Sequence, residues 1–162
     1  MQFNELATAH CQWIEAMGWH NKTQLETLAL IASEIGEAFA ECASPAPSDA
    51  FGEELADIAL RVMDLACTRG IDIDAELLDC KLTWPATERT IHSTLGQLMV
   101  DLAQAINACR GDDQAVVLNN ALVTMLARLD VIGRLLPDSN LAAEIHRKMA
   151  INSQRGTRGR KL

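Results

Sequence analysis

The sequence has no tyrosine, and aromatic residues make up only 4 % of it. That scarcity argues against a β-sandwich or barrel, whose pleated faces draw on aromatic and β-branched side chains. Cysteine is present but unpatterned. The five thiols (Cys11, Cys42, Cys67, Cys80 and Cys109) are odd in number, scattered, and include no CxxC pair. They do not outline a zinc site or a disulfide framework and read as small core hydrophobes in a reducing compartment. The opening MQFNELATAH lacks the basic start and apolar run of a signal peptide, and no stretch is expected to reach membrane-spanning length. A cytoplasmic protein without a membrane partner is the expectation. Positive charge is short as well. A net charge of −8 argues against a general nucleic-acid binder, which gains affinity by neutralising phosphates. The basic residues that exist crowd one end, at Arg147, Lys148, Arg155, Arg158, Arg160 and Lys161, where they form either a solvated tail or a phosphate-facing patch.

What remains is apolar (49 %) and rich in Leu, Ile, Val, Ala and Met, in a length that suits one domain with a real core. Helix punctuation is frequent and predicts seven helices. The first runs from about Phe3 to Met17 and closes at Gly18. Thr23 with Glu26 three residues on is a capping-box pattern that starts the second, whose apolar residues Leu28, Ile31, Ile35, Ala38 and Cys42 follow helical spacing up to Ser44-Pro45-Ala46-Pro47. The third spans about Asp49 to Arg69, with Leu55, Ile58, Val62 and Leu65 as its stripe and Gly70 after its last turn. A shorter helix follows from about Ile73 to Leu82, ending against Trp84-Pro85. Three more are predicted: from a cap at Thr87 to about Arg110, from about Asp113 to Leu136, and from Asp138 or Ser139 to about Ile151.

The second half resembles a worn copy of the first. A shift of sixty-seven places lays Glu34 on Asp101, Ala38 on Ala105, Cys42 on Cys109, Leu55 on Leu122, Arg61 on Arg128 and Lys81 on Lys148. The expected fold is an all-α antiparallel helix bundle with a four-helix core, built by degenerate internal duplication. The copy has lost its acids, because Gln104, Ala121 and Thr124 stand where Glu37, Glu54 and Asp57 stand in the first half.

Those acids carry the chemistry. Glu34 and Glu37 are three residues apart, as are Glu54 and Asp57, so each pair shares one helix face beside an apolar stripe. One such pair in an acidic protein is ordinarily a solvated face. Two on successive helices, both edging the core, converge if the helices form a hairpin. Carboxylates brought together repel by about 4 kcal/mol per pair at about 4 Å and an effective dielectric near 20. Protonation, Lys or Arg partners, or bound divalent cations must offset that. An all-oxygen site without His or Cys selects hard ions, magnesium or manganese. A ferritin-like di-iron bundle would need Glu-x-x-His pairs, which none of the four histidines supplies.

The run ExxE, a proline-containing loop, then ExxD within EELADIALRVMDLA and a following GIDI resembles the signature of the MazG-like all-α nucleoside triphosphate pyrophosphatases, relatives of the dimeric dUTPases and the phosphoribosyl-ATP pyrophosphatases. The likeness covers about residues 3–82, with a second patch in KMAINSQRGTRGRKL. It implies hydrolysis of a (d)NTP to (d)NMP and pyrophosphate, with Glu34, Glu37, Glu54 and Asp57 as magnesium ligands (manganese as a substitute) and catalytic residues. It also implies Lys148, Asn152 and Arg155 on the triphosphate, Trp13 as the platform for the base, and a homodimer. Lys22 and Arg61 are further candidates for phosphate, Arg61 equally for an ion pair with Glu54 or Asp57. The chain departs from the pattern after Lys81, where Pro85 takes the place of the expected Asn. The single domain (1–150) then has a metal-binding half (1–85) and a degenerate half (86–150), with 151–162 as a basic tail, and Lys148, Asn152 and Arg155 complete a composite site from the opposite half or from another subunit. The alternative is a catalytically silent helical module for oligomerisation or nucleotide sensing.

Overall fold

The computed structural model describes residues 2–19, 23–42, 46–82, 90–111, 114–136 and 140–155, with Arg155 described by its backbone alone. Among the described residues there are seven helices and no strand: α1 (Phe3–Met17), α2 (Gln24–Glu41), α3 (Phe51–Thr68), α4 (Ile73–Asp79), α5 (Ile91–Arg110), α6 (Ala115–Leu135) and α7 (Leu141–Arg155). The all-α expectation holds.

Local chemistry accounts for most of the helix ends. Thr23 Oγ1 accepts from the Glu26 N–H at 3.2 Å while Glu26 Oε2 accepts from the Thr23 N–H at 2.9 Å, so two otherwise unpaired donors at the start of α2 are satisfied together. α5 opens by the same device at Thr90 and Ser93; the cap expected at Thr87 lies outside the described residues. Gly18 and Gly70 take φ of +67° and +68°, the left-handed conformation that ends α1 and follows α3 at little cost for glycine. α4 is shorter than predicted, because Cys80 is already extended. The starts expected at Asp113, Asp138 and Ser139 fall outside the described residues. α7 runs on to Arg155, so the first five residues of the segment expected to be a tail are helical.

α1 solves its start differently. No side chain of its own caps it. Instead Asp74 of α4 accepts from the Phe3 and Asn4 N–H groups at 2.8 and 3.1 Å, and Asn4 in return accepts from the Ile73 N–H at 2.9 Å and donates to Asp72 at 2.7 Å. Two helix N-termini thus cap one another across seventy residues, and an acid placed at such a terminus also suits the helix dipole.

The core centres on α3, against which α1, α2, α6 and α7 all pack. The predicted stripe Leu55, Ile58, Val62 and Leu65 is buried, but so are Ala56, Ala59, Met63 and Ala66, because neighbours cover α3 on several sides and small residues let them approach. Each fully buried Leu, Ile or Val contributes roughly 1.5–3 kcal/mol relative to exposure. α2 and α3 form an antiparallel hairpin: Ser48 N donates to Glu41 O at the turn, and further along Arg61 meets Glu34. α5 and α6 repeat the arrangement, and Arg128 meets Asp101 there. In both hairpins the ion-pair partners are 27 residues apart. α6 is long and apolar enough, by length and composition, to cross a membrane, contrary to the expectation that no stretch reaches that length. Half of that stretch is buried against the other helices, and it carries the buried Arg128.

Candidate functional site

The hairpin of α2 and α3 brings together three of the four predicted acids. Glu34 from α2 and Glu54 and Asp57 from α3 each offer one carboxylate oxygen, and these oxygens lie within 4.8 Å of one another. Glu37, one turn further along α2, is exposed and stands outside this group, accepting from Ser33 Oγ at 3.4 Å. Three carboxylates at this spacing repel by about 3 kcal/mol per pair at an effective dielectric near 20. Burial and, for the two glutamates, neighbouring charge both disfavour their ionised forms. Burial, then the charge of Asp57, pushes the Glu34 carboxyl above its usual range against the opposing Arg61. Burial, then Asp57 and Glu37, does the same to Glu54. Asp57 is also raised, because its burial outweighs the nearby Lys148.

Two cations reach into this cluster. Arg61 Nε lies 3.4 Å from Glu34 Oε1, so Arg61 pairs with Glu34 and not with the Glu54 or Asp57 considered from the sequence. Lys148 comes from α7, is only 6 % exposed, and places Nζ 2.5 Å from Asp57 Oδ2 and 2.6 Å from Glu53 Oε1. Burial opposes the Lys148 charge, but its hydrogen bonds to Asp57 and Glu53 win and raise its pKa. Glu53 is held in turn by Arg147 at 3.6 Å. Lys148, expected from the second half, therefore reaches the acids within its own chain.

A cavity of about 300 Å³ opens beside the acids. Its lining includes Glu34, Asp57, Lys148 and Asn152 together with His10, Trp13 and Trp19. Trp13 meets Trp19 edge-to-face with centroids 4.9 Å apart, and His10 stacks on Trp13 at 5.9 Å. Trp13 is where the sequence placed an aromatic wall. Trp19 and His10 were not among the site residues expected from the sequence; the i, i+3 spacing of His10 to Trp13 on α1 was the available signal. His10 is 5 % exposed and has no hydrogen bond among the described residues, and burial followed by the charge of Arg61 lowers its pKa to about 4. It is a neutral imidazole at physiological pH. Arg155 ends α7 with its side chain outside the described residues, and Lys22 lies outside them altogether.

The donor set, three carboxylate oxygens from the α2–α3 hairpin with no sulfur or imidazole among them, fits a hard divalent cation. The neighbouring cavity is lined by aromatic rings together with an amide and an ammonium, groups that can contact a planar ring and an anion. No protein-family model, curated protein or solved structure matches the chain.

Proposed function

We propose that this protein is a magnesium-dependent nucleoside triphosphate pyrophosphohydrolase, cleaving a (d)NTP to (d)NMP and pyrophosphate. One observation carries the reading: acids from two helices converge at the edge of a cavity that also receives Lys148, Asn152 and an aromatic wall. In this reading Glu34, Glu54 and Asp57 hold magnesium, or manganese in its place, and Glu37 joins them by a rotamer change from its exposed position. The bound cation supplies Lewis-acid polarisation of the phosphoryl oxygens. Lys148 and Asn152 hold the phosphate chain, Arg155 extends that contact from the end of α7, and Trp13 with Trp19 takes the base. The neutral His10 offers a ring acceptor beside the two indoles, which can only donate. The homodimer and the cytoplasmic location expected from the sequence belong to the same proposal.

The duplicated four-helix core is also part of it. Support comes from the two ion pairs 27 residues apart and from the two capping boxes at Thr23 and Thr90. Thr27 and Thr94, which correspond under the same shift, both donate their hydroxyl to the carbonyl four residues back. A second hollow, between α4 and α6, is lined by Lys81, Asn120 and Thr124, the positions that the shift lays on Lys148, Glu53 and Asp57. Asn120 and Thr124 are neutral where Glu53 and Asp57 are acidic, so that hollow does not repeat the convergent acids of the first half, although Glu76 and Asp79 also line it.

The test is magnesium-dependent pyrophosphate release across the common NTPs and dNTPs, with Glu34→Gln and Glu37→Gln as controls. Turnover of at least one nucleotide, lost in Glu34→Gln, is expected. Silence across the whole panel would favour the non-catalytic module.

A further inference from the structure

We infer that Lys148 is a built-in stand-in for the divalent cation, holding the acidic cluster together until a metal ion displaces its ammonium from Asp57. The inference rests on the proposed cation site and concerns how that site is regulated. Its basis is geometric. Lys148 is the most buried cation touching the cluster, and its Nζ contacts two carboxylates from successive turns of one face. One of them, Asp57, belongs to the triad of convergent oxygens; the other, Glu53, does not. An ammonium and a metal ion cannot both occupy the inner side of Asp57, because two cations at such a distance repel as strongly as the carboxylates do.

Glu53 supplies the second half of the device. It holds the same ammonium from outside the triad and is itself steadied by Arg147. When Asp57 turns to a metal ion, Lys148 keeps one carboxylate partner, so it is not left as a buried unpaired charge. The cavity wall that Lys148 already shares with Asn152 is where the freed side of the ammonium then faces. His10 adds an independent sign that this cavity takes a polar ligand, since its imidazole is almost fully buried, lines the same space and has no hydrogen-bond partner among the described residues. Cation entry and the presentation of Lys148 to an anion are thereby one event. Without metal the lysine is tied down, and with metal it is released to the ligand that the metal also attracts.

Competition makes the inference measurable without any turnover assay. Calorimetric titration with Mn²⁺ or Mg²⁺ alone, in the absence of nucleotide, is run on the wild type, Lys148→Met and Lys81→Met. The last is the same charge change at an exposed lysine. Lys148→Met is expected to bind the cation roughly tenfold more tightly than the wild type, a modest value for coupling between two ligands, while Lys81→Met stays within about twofold. The cation should raise the thermal midpoint of Lys148→Met more than that of the wild type. Equal or weaker cation binding by Lys148→Met overturns the inference and leaves the cation site standing. Absence of cation binding in every variant overturns the site and the inference together. If Lys148→Met loses its helical signal in chelator, adding the cation should restore it, because the ion takes the place the lysine held. Failure to restore it refutes the exchange.

Discussion

Replacing Arg128 with Met should unfold the protein far more readily than the same change at Arg61, although the two arginines hold corresponding positions in the two hairpins. Arg128 is 1 % exposed and Asp101 3 %, and their Nε–Oδ2 separation is 2.5 Å. Arg61 is one-third exposed at its side chain, and its contact with Glu34 is 3.4 Å long. Breaking a buried pair leaves one charge in a medium that cannot solvate it, at a cost of about 3–5 kcal/mol. Breaking a partly exposed one costs about 1 kcal/mol or less, because water takes over the orphaned partner. Burial already pushes the Asp101 carboxyl upward against the pull of Arg128. Without the arginine its folded-state pKa rises still further above the unfolded value, so the penalty in Arg128→Met is fullest at neutral pH and shrinks as the pH falls and the carboxyl takes up a proton. Urea denaturation followed by helical circular dichroism gives the comparison directly. Asp101→Leu with Arg128→Met should recover most of the loss, since apolar residues of similar volume replace a buried pair at little cost. A loss under about 1 kcal/mol for Arg128→Met, or an equal loss for Arg61→Met, would refute the argument from burial.

Two further outcomes follow from the aromatic wall. His10 is held neutral in the fold with a pKa of about 4, against 6.5 for the free side chain. The unfolded chain therefore gains a proton first on acidification. Stability should be unaffected by this group above pH ~6.5 and fall by about 3 kcal/mol as the pH drops from there through ~4. His10→Phe should flatten that part of the stability profile, and an unchanged slope would show that another group is responsible. Trp13→Leu should weaken nucleotide affinity about tenfold or more, the worth of one base stacked on an aromatic ring, with turnover at saturation reduced much less. Loss of turnover alone, at unchanged affinity, would remove Trp13 from the binding wall.

Much of the architecture was legible because it rests on neighbours in the chain. The Thr23–Glu26 box, the glycines after α1 and α3 and the periodic stripes of α2 and α3 depend on residues three or four apart, and such interactions are written in order along the sequence. The acidic pairs were readable for the same reason. Their spacing dictates a shared helix face whatever the rest of the molecule does. Where α5 begins was less clear, because Ser93 makes the reciprocal bond at Thr90 that a longer Glu or Gln was expected to make.

Other features belong to the packed molecule. Asp74 caps α1 across seventy residues, and only the packing of α4 beside α1 makes that available. The burial of α3 on several sides, the choice of Glu34 as partner of Arg61, and the placing of Glu37 apart from its neighbours depend on how two helices rotate about their axes, which no spacing rule specifies. His10 and Trp19 become walls of one cavity because α1 lies across α3.

The sequence by itself determined that the chain is helical, where most helices begin and end, and which acids share a face. Tertiary structure alone decided that three of them meet and that a lysine from the far end of the chain sits among them. The reason is one of range: capping and periodicity act within a turn or two, whereas burial and charge pairing between helices act only after the helices have been brought into contact.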